Sequence, residues 1–83
     1  MKYIMKNRVT VNLNSIAKVN KFVNEMTKFE SDIDIISGRY ICDSKSVMGV
    51  LSYDLSKLVD IMIHSDNYEE VERFNEVLEE FKC

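Results

Sequence analysis

With 83 residues the chain has material for one small domain, spanning 1–83, and a chain of this size buries only roughly 60–65% of its unfolded surface. It is 46% hydrophobic and 30% charged with no proline or tryptophan, which excludes a disordered chain, and no apolar run reaches the ~20 residues of a membrane helix. The net charge of −3 is split unevenly, with six Lys/Arg against one acid in residues 1–28 and five against thirteen in residues 29–83; the basic end is too dilute, and too poor in aromatic residues, for nucleic acid.

Met1 to Lys6 is too short and too polar for a signal peptide, and the expectation is a cytoplasmic protein. Cys42 and Cys83 show neither metal nor redox spacing and read as free thiols. Tyr3, Met5, Val9, Val11 and Leu13 alternate with mostly polar residues, the period of a half-buried first strand with odd residues inward. Asn14-Ser15 offers a helix cap, and Ile16, Val19, Val23 and Met26 form an apolar stripe that carries a first helix to about Lys28. Ile33 and Ile35 alternate with Asp32 and Asp34, and Ser37-Gly38-Arg39 turns the chain into Tyr40-Ile41-Cys42, so a hairpin is expected. Ser46 opens a single apolar turn ending at Leu51. Val59 to His64 is a fourth strand with Val59, Ile61 and Ile63 on one face. Asp66-Asn67-Tyr68-Glu69 resembles a capping box, and Val71, Phe74, Leu78 and Phe81 are the stripe of a final helix. The order β-α-β-β-α-β-α predicts an α+β open-faced sandwich, a four-stranded antiparallel sheet covered on one face by three helices.

Lys45-Ser46-Val47-Met48-Gly49 resembles the regulatory-serine segment of the HPr family of the bacterial sugar phosphotransferase system (PTS), a Lys-Ser-aliphatic-Met-Gly run. Phe22 to Ile33 looks like the family's first-helix end and second-strand start, and Asp66 to Phe81 like its terminal helix, with no insertion between the segments. The resemblance implies an HPr-like open-faced β-sandwich. It also implies a phosphoacceptor histidine at the first helix N-terminus, followed two positions later by arginine and then by proline. In the gapless register these positions are Ser15, Ala17 and Lys18, and a slip of one puts Asn14 at the histidine position. The one histidine, His64, belongs to the end of the fourth strand and has no metal partner or nucleophile nearby in sequence. A serine phosphoester at Ser15 lacks the transfer potential of a phosphohistidine, and as a plain residue Ser15 is a helix cap.

The expectation is therefore a non-enzymatic regulatory or protein-interaction module of the phosphotransferase system, without metal or cofactor. Ser46 is the candidate phosphorylation site, placed at a helix N-terminus beside Lys45. Val47, Met48 and Leu51, extended by Phe22, Lys18 and Lys21, are the candidate docking residues. The partners implied by the resemblance are an HPr kinase/phosphorylase and a LacI-type transcriptional regulator. An atypical phosphocarrier using another acceptor, such as Ser15, is the alternative.

Overall fold

A computed structural model describes residues 6–51 and 56–82. The elements follow the expected order: β1 (Arg8–Val11), α1 (Ile16–Met26), β2 (Ile33–Ser37), β3 (Tyr40–Asp43), α2 (Val47–Leu51), β4 (Val59–Ile63) and α3 (Tyr68–Leu78), closed by a 3-10 turn at Glu79–Phe81. The strands form one antiparallel sheet in the order β1-β4-β2-β3. β4 therefore lies between the two strands that α1 connects. Tyr3 and Met5, the first residues of the expected first strand, lie outside the described residues.

Alternation explains why one sheet face is dry. Val9 sits opposite Ile61, which sits opposite Ile35, and Ile63 opposite Ile33, so the odd residues of three strands share one face. Ile33, Ile35, Ile61 and Ile63 are fully buried there, with Val11 and Leu13 beside them. α1 lays Val19, Phe22, Val23 and Met26 on this face, and α3 adds Val71, Phe74 and Leu78. Phe81 stacks edge-on against Phe22 at 5.7 Å, and Phe74 against Phe29 at 6.3 Å. The core is a single cluster.

The stripe of α1 differs from the expected one at two positions. Ile16 is 67% exposed, because it is the first residue of the helix and overhangs the last core layer at Val19; Phe22 is fully buried, because it shares the apolar face with Val19, Val23 and Met26. Phe22 is thus a core residue and contributes nothing to a docking surface. In α2 the anchor is Val50, fully buried and absent from the expected set.

Two polar clasps hold the ends. The buried Asn75 side chain donates to the carbonyls of Lys6, at 2.9 Å, and Val71, tying α3 to the approach to β1. The Asn12 N–H donates to Phe81 C=O at 2.8 Å, tying the 3-10 turn to the β1–α1 connection.

Because the Phe74 ring is fully buried and packs on Phe29, Phe74→Ala should cost about 3–5 kcal/mol, a large part of a small domain's stability. Urea denaturation measures it. A folded variant losing less than about 1 kcal/mol would place Phe74 outside the energetic core.

Candidate functional site

The start of α1 is built as a simple cap. Ser15 is extended, with φ −149° and ψ 154°, and its Oγ accepts the Lys18 N–H at 3.1 Å. That satisfies one of the donors a helix N-terminus leaves unpaired. Asn14, Ser15, Ala17 and Lys18 are all exposed, so this end shows solvent an amide, a hydroxyl, a methyl group and an ammonium, with Ile16 beside them. His64 lies off the other end of the sheet: Val11, which leads to α1, pairs with Val59 at the start of β4, whereas His64 follows its last residue. Its Nε2 lies 2.7 Å from Asp34 Oδ2 on the face away from the helices. Among the described residues no group of three His, Cys, Asp or Glu is placed to hold a metal ion.

The second candidate is α2. Ser46 is exposed and precedes the helix; its N–H donates to Asp43 C=O at 3.1 Å and its Oγ accepts the Gly49 N–H at 3.3 Å. The hydroxyl therefore caps a five-residue helix and remains open to solvent. A Cβ built on Gly49 would meet Ser46 Oγ and Cys42 Sγ at 3.4 Å, an ordinary van der Waals contact. Cys42 is a free thiol; Cys83 lies outside the described residues.

Lys45 does not sit as expected. Its Nζ donates to the carbonyls of Phe29, at 2.8 Å, and Ser31, at 3.0 Å, so the ammonium is directed to the end of the α1–β2 connection and makes no hydrogen bond to Ser46. The reason is local: the residues after Met26 leave carbonyl groups beyond the helical ladder, and a cation there satisfies them. The same connection is held from the other side by Glu70, whose Oε1 accepts Ser31 Oγ at 2.6 Å and whose Oε2 accepts the N–H groups of Glu30 and Ser31 at 3.1 and 3.2 Å. Asn67, not a reciprocal capping box, starts α3: its Oδ1 accepts the Glu70 N–H at 3.2 Å, which leaves the Glu70 carboxylate for this contact across the fold. The hydroxyl of Ser31 first, then that of Ser65, pull the Glu70 carboxyl down to a pKa of about 2. Sequence spacing within α3 carries no trace of a partner forty positions away.

Of the expected docking residues, Met48 is 81% and Leu51 40% exposed, and α2 packs on α1. Lys18 is exposed on α1. Lys21 is exposed too, but it is paired with Glu80 at 2.7 Å, and that hydrogen bond raises its pKa. The side chain of Val47 lies outside what is described. The basic character of the first 28 residues is likewise partly cancelled, since Arg8 pairs with Asp60 at 2.7 Å and Lys28 with Glu25 at 3.1 Å. No helix among the described residues is long and apolar enough to cross a membrane.

Comparison with known proteins gives a family match and a set of structural neighbours. The family model described as "PTS HPr component phosphorylation site" matches residues 17–82. Among solved structures, HPr-C-His from Thermoanaerobacter tengcongensis is 24% identical with a TM-score of 0.71, covering 90% of this chain and 92% of that one. The phosphocarrier protein HPr from Bacillus anthracis strain Ames is 24% identical with a TM-score of 0.57, covering 83% and 93%. Crh of Bacillus subtilis, described as a catabolite repression protein and a domain-swapped dimer, is 20% identical with a TM-score of 0.61, covering 100% and 98%. These neighbours establish the fold. No curated protein sequence matches the chain.

The Glu70 contact makes stability depend on acid. Its folded pKa of about 2 lies below the ordinary 4.5, so its contribution is complete above that ordinary value and is lost as pH falls from there toward 2. Glu70→Gln should destabilise the domain at neutral pH by about 1 kcal/mol, because the group is only partly buried, and the gap to the parent should close by about pH 2. Urea midpoints across that range test it. A gap that stays constant with pH would separate Glu70 from the acid response.

Proposed function

The chain belongs to the PTS HPr family, and from that membership we propose that it is a regulatory, non-enzymatic member that works by protein contact and does not carry phosphoryl groups on a histidine. The observation that carries the reading is the start of α1. In the register implied by the family resemblance, Ser15 and Ala17 stand where a phosphocarrier has its histidine and arginine, and the single imidazole of the chain belongs to His64 at the opposite end of β4. A phosphoryl acceptor at this end needs a nucleophile of high transfer potential and a cation clamping the phosphate oxygens. Ser15 Oγ is already the helix cap, and Ala17 brings no charge.

Ser46 is the proposed regulatory phosphorylation site, with an HPr kinase/phosphorylase as the modifying partner. Its hydroxyl is exposed and held by one hydrogen bond from the helix it caps. A phosphate there adds about −1.5 to −2 charges near the free N–H groups of a short helix, which accommodate it without unfolding the domain. With the Lys45 ammonium turned toward Phe29 and Ser31, the new charge faces solvent, and its effect falls on the partner. Met48 and Leu51 beside it, with Ile16 and Lys18 from α1, supply the apolar and basic contacts of that docking surface, fitted to a protein such as a LacI-type regulator.

Incubation with labelled phosphoenolpyruvate and the general phosphotransferase enzyme should leave this chain unlabelled, whereas an acid-labile stoichiometric label would overturn the regulatory reading in favour of an atypical carrier. Restoring histidine at Ser15 alone should give little transfer, because Ala17 supplies no clamp. Purified HPr kinase should label Ser46 and leave the melting curve nearly unchanged. Ser46→Ala should abolish the label and cost about 0.5–2 kcal/mol through the lost cap. If the kinase labels an authentic HPr and leaves this chain bare, Ser46 is only a cap.

A further inference from the structure

β3 is the outer edge of the sheet, and its free side is self-complementary. The Ser44 N–H donates to Ile33 C=O at 2.9 Å, and in the antiparallel register Ile35 faces Cys42 and Ser37 faces Tyr40. Backbone groups alternate in direction along a strand, so residues 40, 42 and 44 turn theirs toward β2 and Ile41 turns its own outward, while the Asp43 C=O accepts the Ser46 N–H. The Ile41 N–H and C=O therefore point away from β2, and the Ile41 side chain is 64% exposed. The stretch Tyr40-Ile41-Cys42 carries neither lysine nor proline, the residues that usually keep an edge strand from pairing.

We propose that β3 pairs with β3 of a second copy of this chain, antiparallel about a two-fold axis through Ile41, so that two four-stranded sheets become one continuous sheet. Charge complementarity selects this occupant. With Ile41 opposite Ile41, Arg39 of each copy stands opposite Asp43 of the other, and Tyr40 opposite Cys42. Arg39 is exposed in the tight turn that Gly38 makes at φ 61°, and it has no acidic partner among the described residues. Asp43 uses Oδ1 to accept the Lys45 N–H at 2.9 Å and keeps its other carboxylate oxygen for a cation.

The outward groups are also those this register requires. Ile41 exchanges both of its hydrogen bonds with its own image, and the Arg39 and Asp43 side chains meet on either side of that pair. The registers displaced by two residues set Ile41 against Arg39 or against Asp43 and lose both ion pairs. On the face away from the helices, Ile36 and Ile41 are cross-strand neighbours, so pairing continues an apolar strip through the axis and covers the exposed Ile41 side chains. A foreign strand meets this edge with one end of like charge unless it repeats the same basic-apolar-acidic order. The contact is short, and the dimer it makes is a weak one.

Sedimentation velocity over a concentration series tests the proposal on the full chain. The parent should move from monomer to dimer by about 1 mM. Ile41→Pro removes the one outward N–H at the axis and leaves the β2–β3 ladder intact, so it should stay folded by circular dichroism and monomeric throughout. Arg39→Asp should weaken association about tenfold by setting like charges opposite each other, and Asp43→Arg added to it should restore dimerisation. A parent that is monomeric at about 1 mM, or a folded Ile41→Pro chain that dimerises like the parent, as an exchange of segments between copies would, overturns the proposal. If Ile41→Pro fails to fold, the charge pair decides: Arg39→Asp without effect, or no recovery in the double variant, overturns it.

Discussion

β4 pairs on both sides, with β1 through Val59 to Met62 and with β2 through Asp60 to Ile63, and its odd residues all turn to the helices. A one-residue slip of this strand would send Val59, Ile61 and Ile63 to the open face and bring Asp60 and Met62 into the core. Burial of three apolar side chains at about 1.5–3 kcal/mol each makes such a slip unaffordable, so β4 fixes the register of its neighbours as well as its own. The last strand in the chain is therefore the one that joins β1 to the β2–β3 hairpin, and the four-stranded sheet does not exist until it arrives. This central position also fixes what remains exposed: β1 and β3 at the edges, and the start of α1 beyond one end.

The open face shows what the register does with polar residues. Thr10 and Arg8 of β1 both reach Asp60 of β4, at 2.6 and 2.8 Å, and these hydrogen bonds, that of Thr10 foremost, hold the Asp60 carboxyl below the usual carboxylate range. His64 and Asp34 make a similar diagonal pair between β4 and β2. Each is exposed and worth little alone. Together they give the uncovered face cross-strand partners suited to water, as the covered face has partners suited to packing.

The fold was legible because its signal is periodic and local. Val9 and Val11, Ile33 and Ile35, and Val59, Ile61 and Ile63 announce one buried face by alternation, and Val71, Phe74 and Leu78 announce a helix by spacing. Periodicity failed where an element ends or where the partner is distant. Ile16 continues the α1 stripe on paper but overhangs the core, and Phe22 reads as a docking residue only if the true face of the helix, which includes position 22, is overlooked. Glu70 and Lys45 were opaque for another reason. Both act on residues 29–31, reached through the tertiary fold, and nothing in the flanking sequence tells an acid or a lysine where its partner will be. For the candidate site, the exposure of Met48 and Leu51 and the capping roles of Ser15 and Ser46 agree with the sequence reading, and the neutralisation of Lys21 by Glu80 does not follow from it.

Fold and site are separable here for a physical reason. What α1 requires at its start is an oxygen acceptor for a free N–H, and Ser15 supplies one; what it requires at Ala17 is only a residue compatible with an exposed first turn. Neither requirement distinguishes a phosphocarrier from a protein that never touches phosphate, because the core layers begin at Val19 and are closed by Phe22, Phe81 and the sheet. The exposed residues Ile16, Ala17 and Lys18 therefore add little to the core, and their chemistry is not set by folding. The same separation applies to α2, where Val50 anchors the helix in the core and leaves Ser46, Met48 and Leu51 exposed. The fold thus fixes where the α1 start and α2 stand on the surface, and it leaves the chemistry of their exposed residues unspecified.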